Sequence, residues 1–130
     1  MKSKSDPRHV HRKKVIKQLF AISFGKQLRP PSDHTQEILQ NLDSIDGYIK
    51  KAAPAWPIEK INKVDLAVLR LAISELTKNK IPYKVIIDEA VELAKEYGSE
   101  TSSSFVNGVL GTVVKELKLD KASTEETENA

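Results

Sequence analysis

The sequence predicts an all-α fold: a single helical domain of about five to six helices in two packed sub-bundles. Three observations carry that prediction. Apolar residues recur at three- and four-residue spacing, as in Ile38, Leu42, Ile45 and Ile49, or Ile86, Ala90, Leu93 and Tyr97. Residues that start and stop helices bracket these runs. One segment, Ile58 to Leu76, is apolar around most of its circumference, as a central helix must be.

The elements follow in order. Residues 1–6 read as a disordered basic N-terminus. Asp6-Pro7 supplies an N-cap and a first-turn proline for a helix running to about Phe24. Its apolar line is Val15, Leu19 and Ile22, with Ile16 and Phe20 beside it. Gly25 to Pro31 is a turn, and Ser32-Asp33 caps a second helix that ends at Pro54-Ala55-Trp56-Pro57. The central helix comes third. Pro82 then opens a helix that closes with Lys95 and Gly98, the latter placed for a left-handed C-cap. Ser99 to Ser104 offer hydroxyls to cap a last helix carrying Phe105, Val109, Val113 and Leu117 on one side. The domain spans 7–120, with sub-bundles at about 7–57 and 58–120, and 121–130 is a disordered acidic tail.

Composition limits the function classes. There is no cysteine, which excludes disulfides, thiol catalysis and Cys-based zinc sites. No apolar run approaches membrane-spanning length, so a cytoplasmic protein is the expectation. The net charge of +3 conceals an asymmetry: residues 1–29 carry nine Lys/Arg against Asp6 alone, while the rest is mildly acidic. A basic end on an acidic body suits a polyanion-binding surface, and equally a solvated arm.

The first helix sharpens that choice. Extended backwards at its own spacing, the Val15–Leu19–Ile22 line meets Arg12 and then Arg8. A charge cannot follow an apolar stripe into a core unpaired. Either the stripe leaves the core there and both arginines overhang its lip, or they pair with a buried carboxylate. The first reading is favoured, because forked donors at a groove's edge suit phosphate, with Lys13, Lys14 and Lys17 on the flank.

Catalytic and metal constellations are missing from the sequence. His9 and His11 stand two apart, so on a helix they diverge and cannot share an ion. Asp88, Glu89, Glu92 and Glu96 form a stripe on one helix face beside Lys95, the pattern of a solvated face rather than of an acid–base pair. Ser102 to Ser104 lack a nucleophile-elbow pattern, and Gly108 to Gly111 match the KH-domain loop by letters only. The expectation is a non-enzyme with no cofactor and no metal. Asp65 falls within the central helix's apolar arc and needs a partner, for which Lys84 or a first-helix arginine is available. Phe105 and Asn107 read as core by periodicity, or as a stacking ring and a base-edge reader near a helix N-terminus.

Three blocks together carry a resemblance: VDLAVLRLAISEL (Val64 to Leu76), PYKVIIDEAVELAKEYG (Pro82 to Gly98) and FVNGVL (Phe105 to Leu110). In order and spacing they resemble the core of the NusB family of bacterial transcription antitermination factors. The first half looks abbreviated, because the family usually has an extra helix there. The resemblance implies that the first helix and the FVNG region bind single-stranded boxA-type RNA of ribosomal RNA leaders. It points to Arg8, His9, Arg12, Lys13, Phe20, Thr101, Ser104, Phe105 and Asn107 as RNA-binding residues. It also implies docking of NusE, a small-subunit ribosomal protein, near Glu59 and Asp65, and action on transcribing RNA polymerase. Phe20 stands where the family often has tyrosine, Gly111 where it often has an acidic residue, and Thr101 and Ser104 where some members are charged. Two other readings stay open. One is an RNA-targeting module related to the N-terminal domain of ribosomal RNA cytosine methyltransferases; the other is a purely protein-binding helical adaptor.

Overall fold

The computed structural model describes residues 6–26 and 30–121; of the ends expected to be disordered, 1–6 and 121–130, Asp6 is described as the cap of α1 and Lys121 as helical, and the rest lies outside the described residues. Six α-helices and one 3₁₀ turn occur among the described residues: α1 (Pro7–Ser23), α2 (Asp33–Gln40), α3 (Leu42–Ala52), the 3₁₀ turn Ile58–Lys60, α4 (Lys63–Lys78), α5 (Tyr83–Tyr97) and α6 (Ser102–Glu116). The fold is all-α. None of these helices is long and apolar enough to cross a membrane.

Local chemistry sets the boundaries. Asp6 caps α1 by accepting from the Arg8 N–H at 2.8 Å. Ser32 Oγ accepts from the Thr35 N–H, and Gln18 of α1 accepts from both hydroxyls, which ties α1 to the start of α2. The single second helix expected from Ser32 to Pro54 is instead two. Asn41 breaks it, because its side-chain amide donates to Glu37 O at 2.8 Å and its own N–H is shared between the carbonyls of Glu37 and Ile38. The central helix also starts later than expected. Asn62 Oδ1 accepts from the Val64 and Asp65 N–H groups and resets the helix after a separate 3₁₀ turn at Ile58–Lys60.

Helix ends after α4 depart from the expected chemistry as well. The left-handed cap falls at Asn79 (φ 51°), not at Gly98, whose backbone is extended (φ −97°, ψ −165°). Gly98 is needed for space: a Cβ there would lie 2.4 Å from Ser102 Oγ and 2.7 Å from Ala94 O. The expected hydroxyl cap on α6 is absent, since Thr101 makes no side-chain cap bond. Ser102 is fully buried and accepts from the Ser99 N–H instead, closing the α5–α6 turn on itself.

α4 packs against every other α-helix, in agreement with its all-round apolar pattern. Its Val68, Leu69, Leu71, Ile73 and Leu76 are almost wholly excluded from solvent, as are Val15, Ile38, Ile49, Ile86, Leu93, Val106 and Leu110 from the helices around it. Together they form one continuous core.

Within this frame sits a buried ionic cluster. The expectation that Arg12 overhangs the core's lip is overturned: Arg12 is 4 % exposed and lies inside. Its Nε donates to both Glu75 oxygens at 3.1 and 3.2 Å, and its Nη2 stands 3.0 Å from Oε1. Glu89 Oε1 is 3.9 Å from Nη1. His9, also buried, donates from Nδ1 to Glu89 Oε2 at 3.3 Å. Glu89 therefore leaves the solvated stripe expected for α5, while Asp88, Glu92 and Glu96 remain exposed. The physical reason is the packing of α1 over α4 beside this face of α5: the guanidinium enters the core because two carboxylates meet it there.

Removing one member of a buried pair leaves an uncompensated charge. Arg12→Met should therefore lower unfolding stability in urea by about 3–5 kcal/mol, and adding Glu75→Leu and Glu89→Leu should restore much of it. Gly98→Ala should cost about 1–3 kcal/mol by overpacking against Ser102, read in the same unfolding experiment.

Candidate nucleic-acid interface

α1 and α5 run in the same direction where they meet, since His9 reaches Glu89 and Lys13, one turn on, reaches Glu96 at 3.0 Å. Lys13 also lies 5.8 Å from the Tyr97 ring centroid. The Glu96 carboxylate, bonded to it, raises the ammonium's pKa above its ordinary value, so Lys13 stays charged but committed. The exposed cations of α1 are Arg8, Lys14 and Lys17. Arg8 stands 3.6 Å from Asp6. Lys17 lies one turn beyond Lys13 on the same face, toward the α5–α6 turn.

Past Lys17 the surface becomes aromatic. Phe20 is 36 % and Phe24 59 % exposed, and the two rings meet edge to face at 5.0 Å. Lys63, at the start of α4, lies over the Phe24 ring at 5.2 Å. Beside it opens a surface cavity of about 600 Å³, lined by Trp56, Lys60, Asn62, Asp65, Thr101, Ser104 and Phe105 among others. Trp56 is 55 % exposed and stands edge-on to Phe105 at 6.4 Å. Phe105 itself is half-buried against the core. The result is a ledge of basic and aromatic groups running from α1 across the start of α4 to the start of α6.

The structure thus gathers Asp65, Thr101, Ser104 and Phe105 around one cavity and places Phe20 on the ledge leading to it. Arg8 is exposed at the far end of α1, and Glu59 and Asn107 are exposed outside the cavity's lining. His9 and Arg12 point inward and are occupied by Glu75 and Glu89. Neither proposed partner reaches Asp65: Lys84 is exposed on α5 and Arg12 is engaged elsewhere. Trp56, Phe24, Lys60 and Lys63 were not singled out from the sequence. A lone tryptophan flanked by Pro54 and Pro57 was the available signal, because the prolines take it out of any helical core stripe.

His11 and His34 form a second polar linkage. Their ring centroids are 5.3 Å apart with planes 9° from parallel, and His11 Nε2 lies 3.1 Å from His34 Nδ1. His34 Nε2 lies 3.0 Å from Ser74 Oγ, whose hydroxyl donates to Leu71 O at 2.6 Å. With the Ser74 proton so placed, His34 donates from Nε2 and accepts at Nδ1, and His11 is the donor to it. Burial, then the charges of Lys78 and His11, push the His34 pKa down to about 4. His9 and His11 diverge, as their spacing requires: one faces Glu89, the other His34.

Comparison with known proteins gives the ledge its context. A sequence profile of the NusB family matches residues 11–115. The chain belongs to the NusB family. Its relatives include the transcription antitermination protein NusB of Acetivibrio thermocellus, 50 % identical over 95 residues, which cover 72 % of this chain and 65 % of that protein. The NusB of Chloroflexus aggregans is 51 % identical over 85 residues, 63 % of this chain and 57 % of its own. The matched stretches thus span less than two thirds of these relatives' lengths. The solved structure of T. maritima NusB superposes with a TM-score of 0.75 at 35 % identity, covering 89 % of this chain and 94 % of that one. These proteins are named as antitermination factors, not as enzymes.

The His34 linkage yields a pH test. The unfolded histidine titrates near 6.5, so between pH 6.5 and about 4 the unfolded NusB-family chain binds the extra proton. Stability is full above 6.5 and falls as pH drops through that window. After allowance for solvent screening the loss is of order 1 kcal/mol. His34→Gln should remove that share of the loss, read as a shallower fall of melting temperature between pH 6.5 and 4.

Proposed function

We propose that this NusB-family chain is an RNA-binding transcription antitermination factor. In this reading it binds boxA-type single-stranded RNA of ribosomal RNA leaders together with NusE and helps transcribing RNA polymerase resist termination. The observation that carries the reading is the run of exposed basic and aromatic groups from Lys17 through Phe20, Phe24 and Lys63 to Trp56 and Phe105. Single strands are held by cations that follow the phosphates and by rings on which unpaired bases stack. The ledge supplies both in alternation, with Lys63 and Lys60 between the ring pairs.

The roles divide by exposure. Arg8, Lys14 and Lys17 meet phosphates. Arg12, His9 and Lys13 act from within, holding α1 against α4 and α5 so that those cations keep their register. Thr101 and Ser104 offer hydroxyls beside the α6 N-terminus, whose first N–H groups lack intrahelical partners. Glu59, exposed on the 3₁₀ turn, is left as the acidic contact for NusE.

The test is fluorescence anisotropy of a labelled boxA-type RNA with the full chain, with and without NusE, at two salt concentrations. Affinity should fall steeply with salt and rise with NusE. Lys14→Glu with Lys17→Glu should weaken binding across RNA sequences and reduce the salt slope by roughly 0.7 per lysine. Salt-insensitive association, or binding of NusE alone, would overturn the RNA reading and leave a protein-binding adaptor.

A further inference from the structure

We infer that His11 and His34 form a two-imidazole chelate for a divalent transition ion of the Ni²⁺, Cu²⁺ and Zn²⁺ class, which on binding clips α1 to α2. Neither histidine belongs to the run of basic and aromatic groups, so this site stands or falls apart from the RNA reading.

The fold makes a pair that local spacing hides. The separation that keeps His9 and His11 apart sends His9 toward Glu89 and turns His11 toward α2, where it meets His34, 23 positions on. The chain has three histidines and no cysteine, and His9 is buried against Glu89. Competing soft ligands are therefore few.

The donor separation suits a chelate. His11 Nε2 and His34 Nδ1 are 3.1 Å apart, in rings whose planes lie 9° from parallel. Metal–imidazole bonds of about 2.0–2.1 Å set two ligand nitrogens about 2.9 Å apart at a right angle and about 3.4 Å apart at the tetrahedral angle. The observed distance falls between the two. To admit an ion, the exposed His11 ring tilts and moves its proton from Nε2 to Nδ1. Both rings stay neutral, and no proton is lost overall.

His34 is already held as a metal ligand is held. Its Nε2–H donates to Ser74 Oγ at 3.0 Å, and the Ser74 hydroxyl donates to Leu71 O at 2.6 Å. An outer bond of this kind fixes the tautomer and aims the other ring nitrogen at the ion. Ser74 is buried, so the aim is firm, while His11 lies exposed, so an ion and its waters can enter. The charges facing His34 are Lys78, Arg12 and Glu37. Lys78 is bonded to Glu37 at 2.9 Å and Arg12 is held by Glu75, so both cations are compensated. No third metal-capable side chain completes the group among the described residues, so water fills the remaining positions. Imidazole donors select Cu²⁺, Ni²⁺ and Zn²⁺ over Mg²⁺ and Ca²⁺, which demand oxygen.

The experiment titrates the full chain at neutral pH with Ni²⁺, Zn²⁺ or Mg²⁺ in a calorimeter. Ni²⁺ and Zn²⁺ should each bind once per chain, and Mg²⁺ should give no heat. With Ni²⁺ at about a hundred times its Kd, the unfolding equilibrium constant should fall about a hundred-fold. His11→Gln and His34→Gln should each abolish both effects, because one imidazole alone holds the ion far more weakly. In nitrogen-15 spectra, Zn²⁺ should move His11 Nε2 and His34 Nδ1 and leave His9 unchanged. No uptake of Ni²⁺ by the native chain at about 1 mM, uptake that survives His11→Gln, or a response at His9 instead would each overturn the chelate. Should His34→Gln lose its fold by circular dichroism, the exposed His11→Gln variant and the spectra of the native chain still decide. Failure of RNA binding would leave this result untouched.

Discussion

The fold depends on one buried interaction, the clasp of Arg12 by Glu75 and Glu89. α1 carries Arg8, Arg12, Lys13, Lys14 and Lys17 with no acidic residue among them, and their mutual repulsion and hydration both favour peeling it away from the core. The clasp opposes that. A forked guanidinium meets Glu75 of α4 through two nitrogens and approaches Glu89 of α5, while His9 holds the other Glu89 oxygen. One side chain thereby fixes α1 to two helices at once. The geometry supplies the multiple, short contacts that a buried ion pair needs to offset its desolvation. A second bidentate pair, Arg70 to Asp46 at 2.8 and 2.9 Å, does the corresponding work between α3 and α4.

The clasp explains how a basic helix can be both anchor and ligand surface. Inward cations are neutralised by carboxylates contributed from α4 and α5; outward ones are left to solvent. Because the helix period separates Arg12 from Lys14 and Lys17, one sequence stretch serves both purposes without conflict. The aromatic end of the ledge depends on a different constraint. Trp56 lies exposed in a proline-bounded connection between Ala53 and Ile58, and Phe105 lies at the start of α6 where burial is only partial.

Much of this was legible in the sequence. Caps at Asp6 and Ser32, the all-round apolar α4 and the core stripes of α5 and α6 follow from composition and period, and the structure agrees. What misled was polar chemistry that depends on distant partners. Arg12 and Glu89 are 77 positions apart, and no local pattern announces that each neutralises the other. Asn41 looked like any residue within an amphipathic run, yet its side-chain amide ended the helix. Gly98 ends α5 as its place in the sequence predicts, but the constraint on it is a close approach by Ser102, not a left-handed backbone. At the candidate site, Phe105 is open to a stacking reading from its place near a helix N-terminus and Phe20, Thr101 and Ser104 follow from the resemblance, whereas Trp56 and Phe24 become visible only when the helices bring them beside Lys60 and Lys63.

The most direct measurement uses the chain's single tryptophan. Trp56 is exposed on the ledge and reports contact there without a label. Titrating the full chain with boxA-type single-stranded RNA should quench its emission saturably, at the same midpoint as anisotropy of the RNA, with both midpoints moving together to higher RNA concentration as salt is raised. RNA binding seen by anisotropy with no change in Trp56 emission would contradict the account, because the strand would then be held on a surface that does not include the ledge.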